Sequence, residues 1–359
     1  MGTRERVRTQ WLKIVALRFA MEKRCSKVCV TGGAGYLGSF LVKKLLEGGH
    51  IVHATLRNLE DQSKVGLLRS FPNADTRLEL FEADLYKPEE FEKAIEGCEF
   101  VFHVATPWYH SEGYVYNNRV EATVAATKSI AVSCMKSGTV RRLIYTASVV
   151  AASPLKDDGT GYKGFMDETC WTPLDISIAY SNDFVKGYTE SKTLAEKEIL
   201  STNNDNDGEL EVVTLPCGLV GGDTYLSYTP LSVSVILSQI TDSANEYQSL
   251  KFLEELLGKV PLVHIEDVCE AHIFCMNERS ITGRFLCASS YVSSAEIANH
   301  YHKNYPEFHL KQEYLDETKR DIDWRGTKLT ERGFTYKYDT KKILDDCITC
   351  ARKMGDLQP

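Results

Sequence analysis

The chain has 359 residues, of which 43% are hydrophobic and 26% are charged, and its formal net charge at pH 7 is −8. This composition is ordinary for a soluble globular protein, and the excess of acidic residues argues against nucleic acid as a partner. No apolar run approaches the roughly 18 residues of a membrane-spanning helix, so we expect no membrane span.

Eleven cysteines are scattered along the chain, and its first residues do not resemble a secretory leader. We therefore expect a cytoplasmic protein with reduced, mostly buried thiols. Neither the isolated pair Cys347 and Cys350 nor the dispersed histidines predict a metal site. Residues 1–24 carry several arginines before an apolar run, and we expect them to form a disordered or loosely helical extension outside the fold.

Residues 28–38 read VCVTGGAGYLG, an apolar run that enters three glycines spaced three residues apart, and an apolar-periodic segment follows. This pattern predicts a strand, a tight turn and the start of a helix. Glycines let backbone amides approach a phosphate closely, and the helix N-terminus adds partial positive charge there. The segment therefore predicts a dinucleotide site, to which we assign Thr31, Gly32, Gly35, Tyr36, Leu37 and Gly38.

Strands and helices alternate along the next 180 or so residues, which is typical of βαβ units and a parallel sheet. We therefore predict an α/β fold, an NAD(P)-binding, doubly wound sheet of the Rossmann type, over residues 25–216. Longer loops and shorter elements predict a smaller substrate-binding lobe over 217–355, from which the chain returns to the first domain. The predicted strands are 51–56, 77–81, 100–104, 142–146 and 210–215, and the predicted helices are 61–70, 88–96, 117–136 and 184–201.

The predicted helix 184–201 carries Tyr188 and Lys192, which lie one turn apart on the same face. When hydride reaches a carbonyl carbon, a proton must reach the oxygen, and a phenol with a pKa near 10 donates it slowly at neutral pH. A neighbouring ammonium stabilises the phenolate and lowers that pKa. The pair therefore predicts a proton donor and a lysine that also holds the cofactor ribose; the alternative is an exposed pair on a surface helix.

Ser148 follows the predicted strand 142–146, and ligands of open α/β sheets bind outside the carboxyl ends of the strands. Its hydroxyl is therefore expected to hydrogen-bond and polarise a substrate oxygen. Thr146 is a second candidate on the same side of the strand, but deeper. The alternative for Ser148 is an ordinary turn serine. The irregular segment 149–183 that follows is predicted to be an active-site loop.

The glycine turn, the strand-end serine and the Tyr-x-x-x-Lys helix together resemble the extended short-chain dehydrogenase/reductase family over about residues 26–355. Five segments narrow the resemblance to the plant dihydroflavonol 4-reductase-like group, and the insertion DGTG at 158–161 is most similar to its anthocyanidin reductase branch. The resemblance implies NADPH-dependent reduction of phenolic ketones, related flavonoids or aldehydes. The five segments are VTGGAGYLG (30–38), HATLR (53–57), FHVATP (102–107), SKTLAEK (191–197) and VHIEDVCEAH (263–272).

The end of the second predicted strand indicates which dinucleotide binds. NAD enzymes place a carboxylate there for the ribose 2′-hydroxyl, but this chain carries Arg57, whose planar fork suits a 2′-phosphate. Lys64 adds a second positive charge, so we predict NADP; the alternative is that Arg57 is a solvated surface charge. The resemblance further implies contacts to the cofactor from Asp84, Leu85, Val104, Ala105, Thr106, Pro216 and Val220.

Three departures from the family pattern bear on the substrate. Ala147 stands where a first serine is usual, and Ser153 stands where dihydroflavonol reductases carry an asparagine that reads the substrate ring, which puts that specificity in doubt. The segment 216–220 reads PCGLV where the family often reads PTLV, so we expect a more flexible loop. We expect an aromatic substrate between ring walls formed by Tyr180, Phe184, Tyr225 and Tyr228; the alternative is that these rings only pack in the core or at an interface.

Two other functions remain alternatives from the sequence. A nucleotide-sugar epimerase of the same fold retains NAD tightly, and Arg57 argues against that cofactor. A non-catalytic NADP-sensing protein would not need Tyr188 and Lys192, both of which are present. No interface signature predicts an oligomeric state.

Overall fold

The computed structural model describes residues 25–107, 115–205, 208–316, 320 and 322–358. The predicted extension 1–24 therefore lies outside the described residues. The strands are β1 (Lys27–Thr31), β2 (Ile51–Leu56), β3 (Leu78–Glu82), β4 (Phe100–His103), β5 (Arg142–Ser148), β6 (Phe165–Met166), β7 (Glu211–Cys217), β8 (Leu219–Gly221), β9 (Val260–His264), β10 (Gly283–Arg284), β11 (Ser290–Val292) and β12 (Asp323–Trp324).

Helices occupy most of the connections between these strands. The α-helices are α1 (Tyr36–Glu47), α2 (Gln62–Arg69), α3 (Ala74–Arg77), α4 (Glu92–Ile95), α5 (Arg119–Ser137), α6 (Asp183–Asp205), α7 (Leu231–Ile236), α8 (Ala244–Leu257), α9 (Ile265–Asn277), α10 (Ser294–Asn304), α11 (Lys328–Glu331) and α12 (Thr340–Met354). Three 3₁₀ turns cover Pro88–Phe91, Val149–Ala151 and Gln312–Leu315. Across the described ranges, no helix is both long and apolar enough to cross a membrane.

Within the described residues, seven parallel strands form the central sheet, in the order β10, β7, β5, β4, β1, β2, β3. One face is covered by α1 and α9, with Leu41 and Val268 in its core, and the other by α4, α5 and α6, with Ile130 and Ile199. The predicted doubly wound sheet is confirmed. Chain order reverses between β1 and β4, where a ligand crevice forms at the carboxyl ends of the strands.

The second half of the chain adds a small sheet, in which β9 lies between β8 and β11. The small sheet starts directly from the central one, because β8 begins two residues after β7 ends, and the chain later returns through β10. The strands β8 to β12 are short, as expected for this half, and its longest helices are α8, with 14 residues, and α12, with 15. Leu250, Leu253 and Leu257 recur at helical spacing on the buried face of α8, which accounts for its length.

Two element boundaries differ from the sequence prediction in ways that affect the site. Strand β5 continues to Ser148, two residues further than predicted, so the serine ends the strand itself. Helix α6 continues to Asp205, into the polar run predicted as a surface turn. Segment 149–183 is irregular as predicted, apart from a 3₁₀ turn and the short strand β6, which pairs with β12.

Candidate active site

The glycine turn between β1 and α1 has a backbone that admits only small residues. Gly32 has φ +68°, and a β-carbon on Gly38 would lie 2.2 Å from the Gly32 carbonyl oxygen. Gly35 caps α1 without a side chain, and the first helical turn carries no acidic residue. The first amides of a helix lack intrahelical partners, so this terminus fits the phosphates of a dinucleotide.

The hydroxyl of Thr31 holds the turn after β4 in place. It accepts hydrogen bonds from the amides of Val104 (3.0 Å) and Ala105 (3.1 Å), so its own proton is donated to His103 Nδ1 at 2.9 Å. Burial lowers the pKa of His103 to about 3, so the ring stays neutral. The Thr31 side chain is therefore fully used within the protein and supports the wall predicted to line the cofactor.

The side chain of Tyr36 faces the core rather than the crevice. Its ring packs edge-on against Phe40, with 6.0 Å between the centroids, and Leu37 packs against the same core. The backbone amide of Tyr36, rather than its side chain, is therefore the group left for the predicted dinucleotide contact.

The two predicted positive charges differ in their surroundings. Arg57 is exposed directly after β2. Lys64 Nζ lies 2.9 Å from Asp61 Oδ2, and the Asp61 side chain also accepts from the Lys64 amide as the cap of α2. Of the two predicted cations at the end of β2, Arg57 is therefore the better candidate for a ribose 2′-phosphate, because Lys64 is already paired.

The other predicted cofactor residues surround the crevice at different depths. Asp84 is partly buried and its carboxylate accepts from the Tyr86 amide at 3.0 Å, whereas Leu85 is buried in the core. Pro216 lies in β7 opposite Ala147 of β5. The structure places Val220 in β8, packed against the core that contains α1.

The structure brings the three predicted catalytic residues together. Ser148 ends β5, and Tyr188 and Lys192 lie on α6. The Ser148 side chain hydrogen-bonds that of Tyr188. Burial raises the pKa of Tyr188, and the Ser148 hydroxyl and the positive charge of Arg119 act against that rise. The arrangement gives a carbonyl oxygen two neighbouring hydroxyls.

Lys192, one turn further along α6 than Tyr188, is 3% exposed. Its Nζ donates to the Thr106 hydroxyl at 2.9 Å and to the Thr146 carbonyl at 3.0 Å, and lies 3.5 Å from the Tyr145 hydroxyl. Burial lowers its pKa to about 8. That Lys192 itself lowers the pKa of Tyr188 stays a prediction.

The second candidate hydroxyl, Thr146, is used elsewhere. Its Oγ1 lies 2.8 Å from His272 Nε2, while His272 Nδ1 lies 2.7 Å from the Val268 carbonyl oxygen. Because a carbonyl only accepts, Nδ1 carries the proton and Nε2 accepts from Thr146. Ser148 is therefore the hydroxyl left for a substrate.

Sequence reasoning missed Arg119, the first residue of α5. Its guanidinium donates to the Phe184 carbonyl at 2.8 Å and lies 5.0 Å from the centre of the Phe184 ring. Its charge lowers the pKa of Tyr188, against the effect of burial. Nothing in the sequence marks it, because 69 residues separate Arg119 from Tyr188 and no spacing rule joins them.

An apolar cluster surrounds the ring of Tyr188. Of the four aromatic residues predicted to line the substrate site, only Phe184 is part of this cluster. Phe184 lies in this cluster with Val185 and Phe252. The others do not: Tyr180 and Tyr228 are exposed, and Tyr225 packs 4.3 Å from Phe40 and 5.5 Å from Phe71, on the α1 side. The rings of Phe40 and Phe71 give Tyr225 an apolar surface on that side, away from Tyr188. The cluster members are Val149, Val150, Leu155, Val185, Phe252, Leu253, Leu256 and Leu257.

Ser153 already uses its only hydroxyl proton within the protein. It is fully buried, its hydroxyl donates to the Leu256 carbonyl, and it accepts from the Leu155 amide at 3.0 Å. The residue anchors segment 149–155 to α8. The doubt that this position raised about dihydroflavonol specificity stays a prediction.

The expectation of a flexible loop over 216–220 is wrong. Gly218 lies between β7 and β8, and its amide donates to the Cys287 carbonyl at 2.9 Å. A β-carbon there would lie 2.7 Å from the Pro261 carbonyl oxygen. The glycine permits close approach of two backbones, and the segment runs directly from β7 of the central sheet into β8 of the small sheet.

A cavity of about 480 Å³ lies between the segment 173–178 and α6, where Lys186, Thr189 and Glu190 line it. Residues three and four apart share a helix face, whereas residues one or two apart do not. Lys186, Thr189 and Glu190 therefore lie on other faces of α6 than Tyr188, but Ile176, Ile178 and Phe252 of the apolar cluster around Tyr188 also line the cavity.

Known proteins resemble the chain over most of its length. The profile of the NAD dependent epimerase/dehydratase family matches residues 28–286. An anthocyanidin reductase ((2S)-flavan-3-ol-forming) of Vitis vinifera is 33% identical over 331 residues, which cover 92% of this chain and 96% of the relative. A dihydroflavonol 4-reductase of Callistephus chinensis is 34% identical over 333 residues, which cover 92% of this chain and 87% of the relative.

A solved structure agrees with these relatives. The crystal structure of vestitone reductase from alfalfa (Medicago sativa L.) has a TM-score of 0.74 and 32% identity, and covers 92% of this chain and 100% of its own. The predictions of the fold, the family and the oxidoreductase class are confirmed. The chain belongs to the NAD dependent epimerase/dehydratase family, within its extended short-chain dehydrogenase/reductase group.

Proposed function

We propose that the protein is an NADPH-dependent reductase of a carbonyl, or of a related flavonoid such as an anthocyanidin, in a phenolic or other specialised metabolite. The observation that carries the proposal is the hydrogen-bonded pair of Ser148 and Tyr188, with the buried Lys192 one turn along the same helix as Tyr188. The pair lies at the carboxyl end of the sheet, where a dinucleotide at the glycine turn would also be held.

The roles of the side chains follow from this geometry. A bound NADPH supplies the hydride. The hydroxyls of Ser148 and Tyr188 hold the carbonyl oxygen, and Tyr188 donates its proton as negative charge develops on that oxygen. Lys192, positive below about pH 8 and bonded to Thr106, stabilises the phenolate that remains and is placed to hold the ribose.

The preference for NADPH is proposed to depend on Arg57. Charge-assisted hydrogen bonds contribute about 1.5–3 kcal/mol, so Arg57→Asp is expected to raise KM for NADPH roughly 10- to 100-fold. The ratio of kcat/KM with NADPH to kcat/KM with NADH is expected to fall. Steady-state kinetics with both cofactors measure this. Lys64→Ala is expected to have a smaller effect because Lys64 is paired with Asp61, and exposed Arg69 of α2 provides the control Arg69→Ala. An unchanged NADPH preference in Arg57→Asp would remove Arg57 from the phosphate site.

The proposed substrate is a small aromatic molecule that binds against residues of the lobe 217–355. Phe252 and Leu256 of α8 lie in the apolar cluster around Tyr188, which supports this assignment. The named activities of the Vitis and Callistephus relatives support flavonoids as the substrate class. The hydroxyl of Ser153 already donates to the Leu256 carbonyl, so it does not replace the asparagine that reads the ring in dihydroflavonol reductases. This favours an anthocyanidin or another flavonoid over a dihydroflavonol. Ten buried thiols among the eleven free cysteines support a reducing compartment such as the cytoplasm.

A substrate panel tests this function. Purified protein is mixed with NADPH or NADH and with anthocyanidins, flavonoid ketones, phenolic aldehydes or small ketones, and loss of reduced-cofactor absorbance is followed. We expect NADPH oxidation with at least one flavonoid and little with small ketones. Co-purified NAD with no consumption of external NADPH would instead indicate the epimerase alternative.

A further inference from the structure

A buried ion pair lies one turn beyond Lys192 on the catalytic helix. Glu196, fully buried on α6, accepts from Arg284 Nε at 3.0 Å and from Arg284 Nη2 at 3.1 Å. It also accepts from the Thr214 hydroxyl of β7 at 2.7 Å. Because residues i and i+4 share a helix face, this contact fixes the face that carries Lys192 to the central sheet.

The guanidinium of Arg284 also binds the segment that follows Ser148. Nη2 donates to the Ala151 carbonyl at 3.0 Å, and Nη1 donates to the carbonyls of Glu168 (3.2 Å) and Cys170. The guanidinium carbon lies 3.8 Å from the centre of the Trp171 ring. All five N–H groups of an arginine are thus used, three of them on segment 149–171.

Arg284 lies in the edge strand β10, which pairs with β7. One side chain therefore joins the sheet edge, the helix of Tyr188 and Lys192, and the turn three residues after Ser148. We propose that the Arg284–Glu196 pair is a positioning device for the reduction, which sets the distance between the Ser148 hydroxyl and the Tyr188 phenol. This inference rests on the proposed function.

The chain offers a matched control at the opposite end of the same sheet. Arg142, fully buried at the start of β5, pairs with Glu211 and donates to the carbonyls of Cys275, Met276 and Glu278. Six residues of strand, about 20 Å, separate Arg142 from Ser148. Arg142→Lys therefore loses the same kind of bonds as Arg284→Lys but does so far from the reacting groups.

Kinetics separate positioning from stability. Displacements near 1 Å cost about 100-fold in rate, so Arg284→Lys is expected to lower kcat by about 10- to 100-fold with KM for NADPH unchanged. Arg142→Lys, at a similar loss of unfolding free energy, is expected to keep wild-type kcat. Equal kcat in the two variants would overturn the proposal. If Arg284→Lys does not fold, Glu196→Gln takes its place in the comparison.

The pH profile adds a readout that a purely structural role would not move. Cys217 and Glu196 both raise the pKa of Lys192 against the effect of burial. Tyr145 and the neutral His103 also lie near the Lys192 ammonium. Because Glu196→Gln removes one of the two raising influences, it is expected to shift the alkaline limb of kcat/KM to lower pH. Arg284→Lys keeps the charge and is expected to leave the limb in place while kcat falls. An unmoved limb in Glu196→Gln would contradict the link to Lys192.

Amide hydrogen exchange tests the device without any substrate. Arg284→Lys is expected to increase exchange over residues 149–172 and in the first half of α6, and Arg142→Lys is not. If no panel compound is reduced by the wild type, the proposed function fails while this comparison still decides the positioning claim. Unchanged exchange in Arg284→Lys would overturn it.

Discussion

Replacing Tyr188 by phenylalanine is expected to lower kcat by about 10²–10⁴-fold, because the variant lacks the proton that must reach the carbonyl oxygen. The ring keeps its place in the apolar cluster of Val185 and Phe252, so the fold and NADPH affinity should be retained. Steady-state kinetics and NADPH titration by fluorescence measure the two quantities separately.

A second phenol in the same cluster gives the control. The Tyr162 hydroxyl donates to the Glu255 carbonyl and does not contact Ser148. Tyr162→Phe removes one buried hydrogen bond, worth about 1 kcal/mol of unfolding free energy, and is expected to retain kcat. Near-normal turnover in Tyr188→Phe would remove Tyr188 from the chemistry.

The second large effect concerns Lys192 and pH. Burial lowers the pKa of its ammonium from the ordinary value to about 8, so the charge is present below that pH and is lost above it. We expect kcat/KM, which reports groups of the free enzyme, to fall as pH rises through about 8. In Lys192→Met, kcat/KM at pH 7 is expected to be about 10²–10⁴-fold lower, and its pH profile is expected to lack this alkaline limb.

Two further variants identify the group that titrates. Lys192→Arg keeps the charge at all accessible pH values and is expected to move the alkaline limb upward. Exposed Lys128 of α5, which pairs with Glu198 of α6 at 2.8 Å, provides the control Lys128→Met, with an unchanged profile. A limb near pH 8 that persists in Lys192→Arg would assign the titration to another group.

Local spacing accounts for what the sequence predicts well. The glycines at 32, 35 and 38 are set by their own turn, and Tyr188 and Lys192 are set by one helix, so neither requires knowledge of distant residues. Strand β2 matches its predicted bounds because its apolar run ends at a charge, Arg57.

Contacts between distant segments account for the rest. The choice of Ser148 over Thr146 depends on His272, which is 126 residues away. The rigidity at Gly218 depends on the Pro261 carbonyl of a neighbouring strand. The positions of Arg119 and Arg284 follow from the packing of helices and from an edge strand of two residues, neither of which leaves a periodic signal.

The most direct test of the account is the fate of the hydride. NADPH carrying deuterium at both C4 positions is supplied with a substrate found in the panel, and the product is analysed by mass spectrometry and NMR. We expect stoichiometric NADPH loss and one deuterium on the reduced carbon, absent in Tyr188→Phe at matched times. A product without deuterium, formed without net NADPH loss, would contradict reduction at this site.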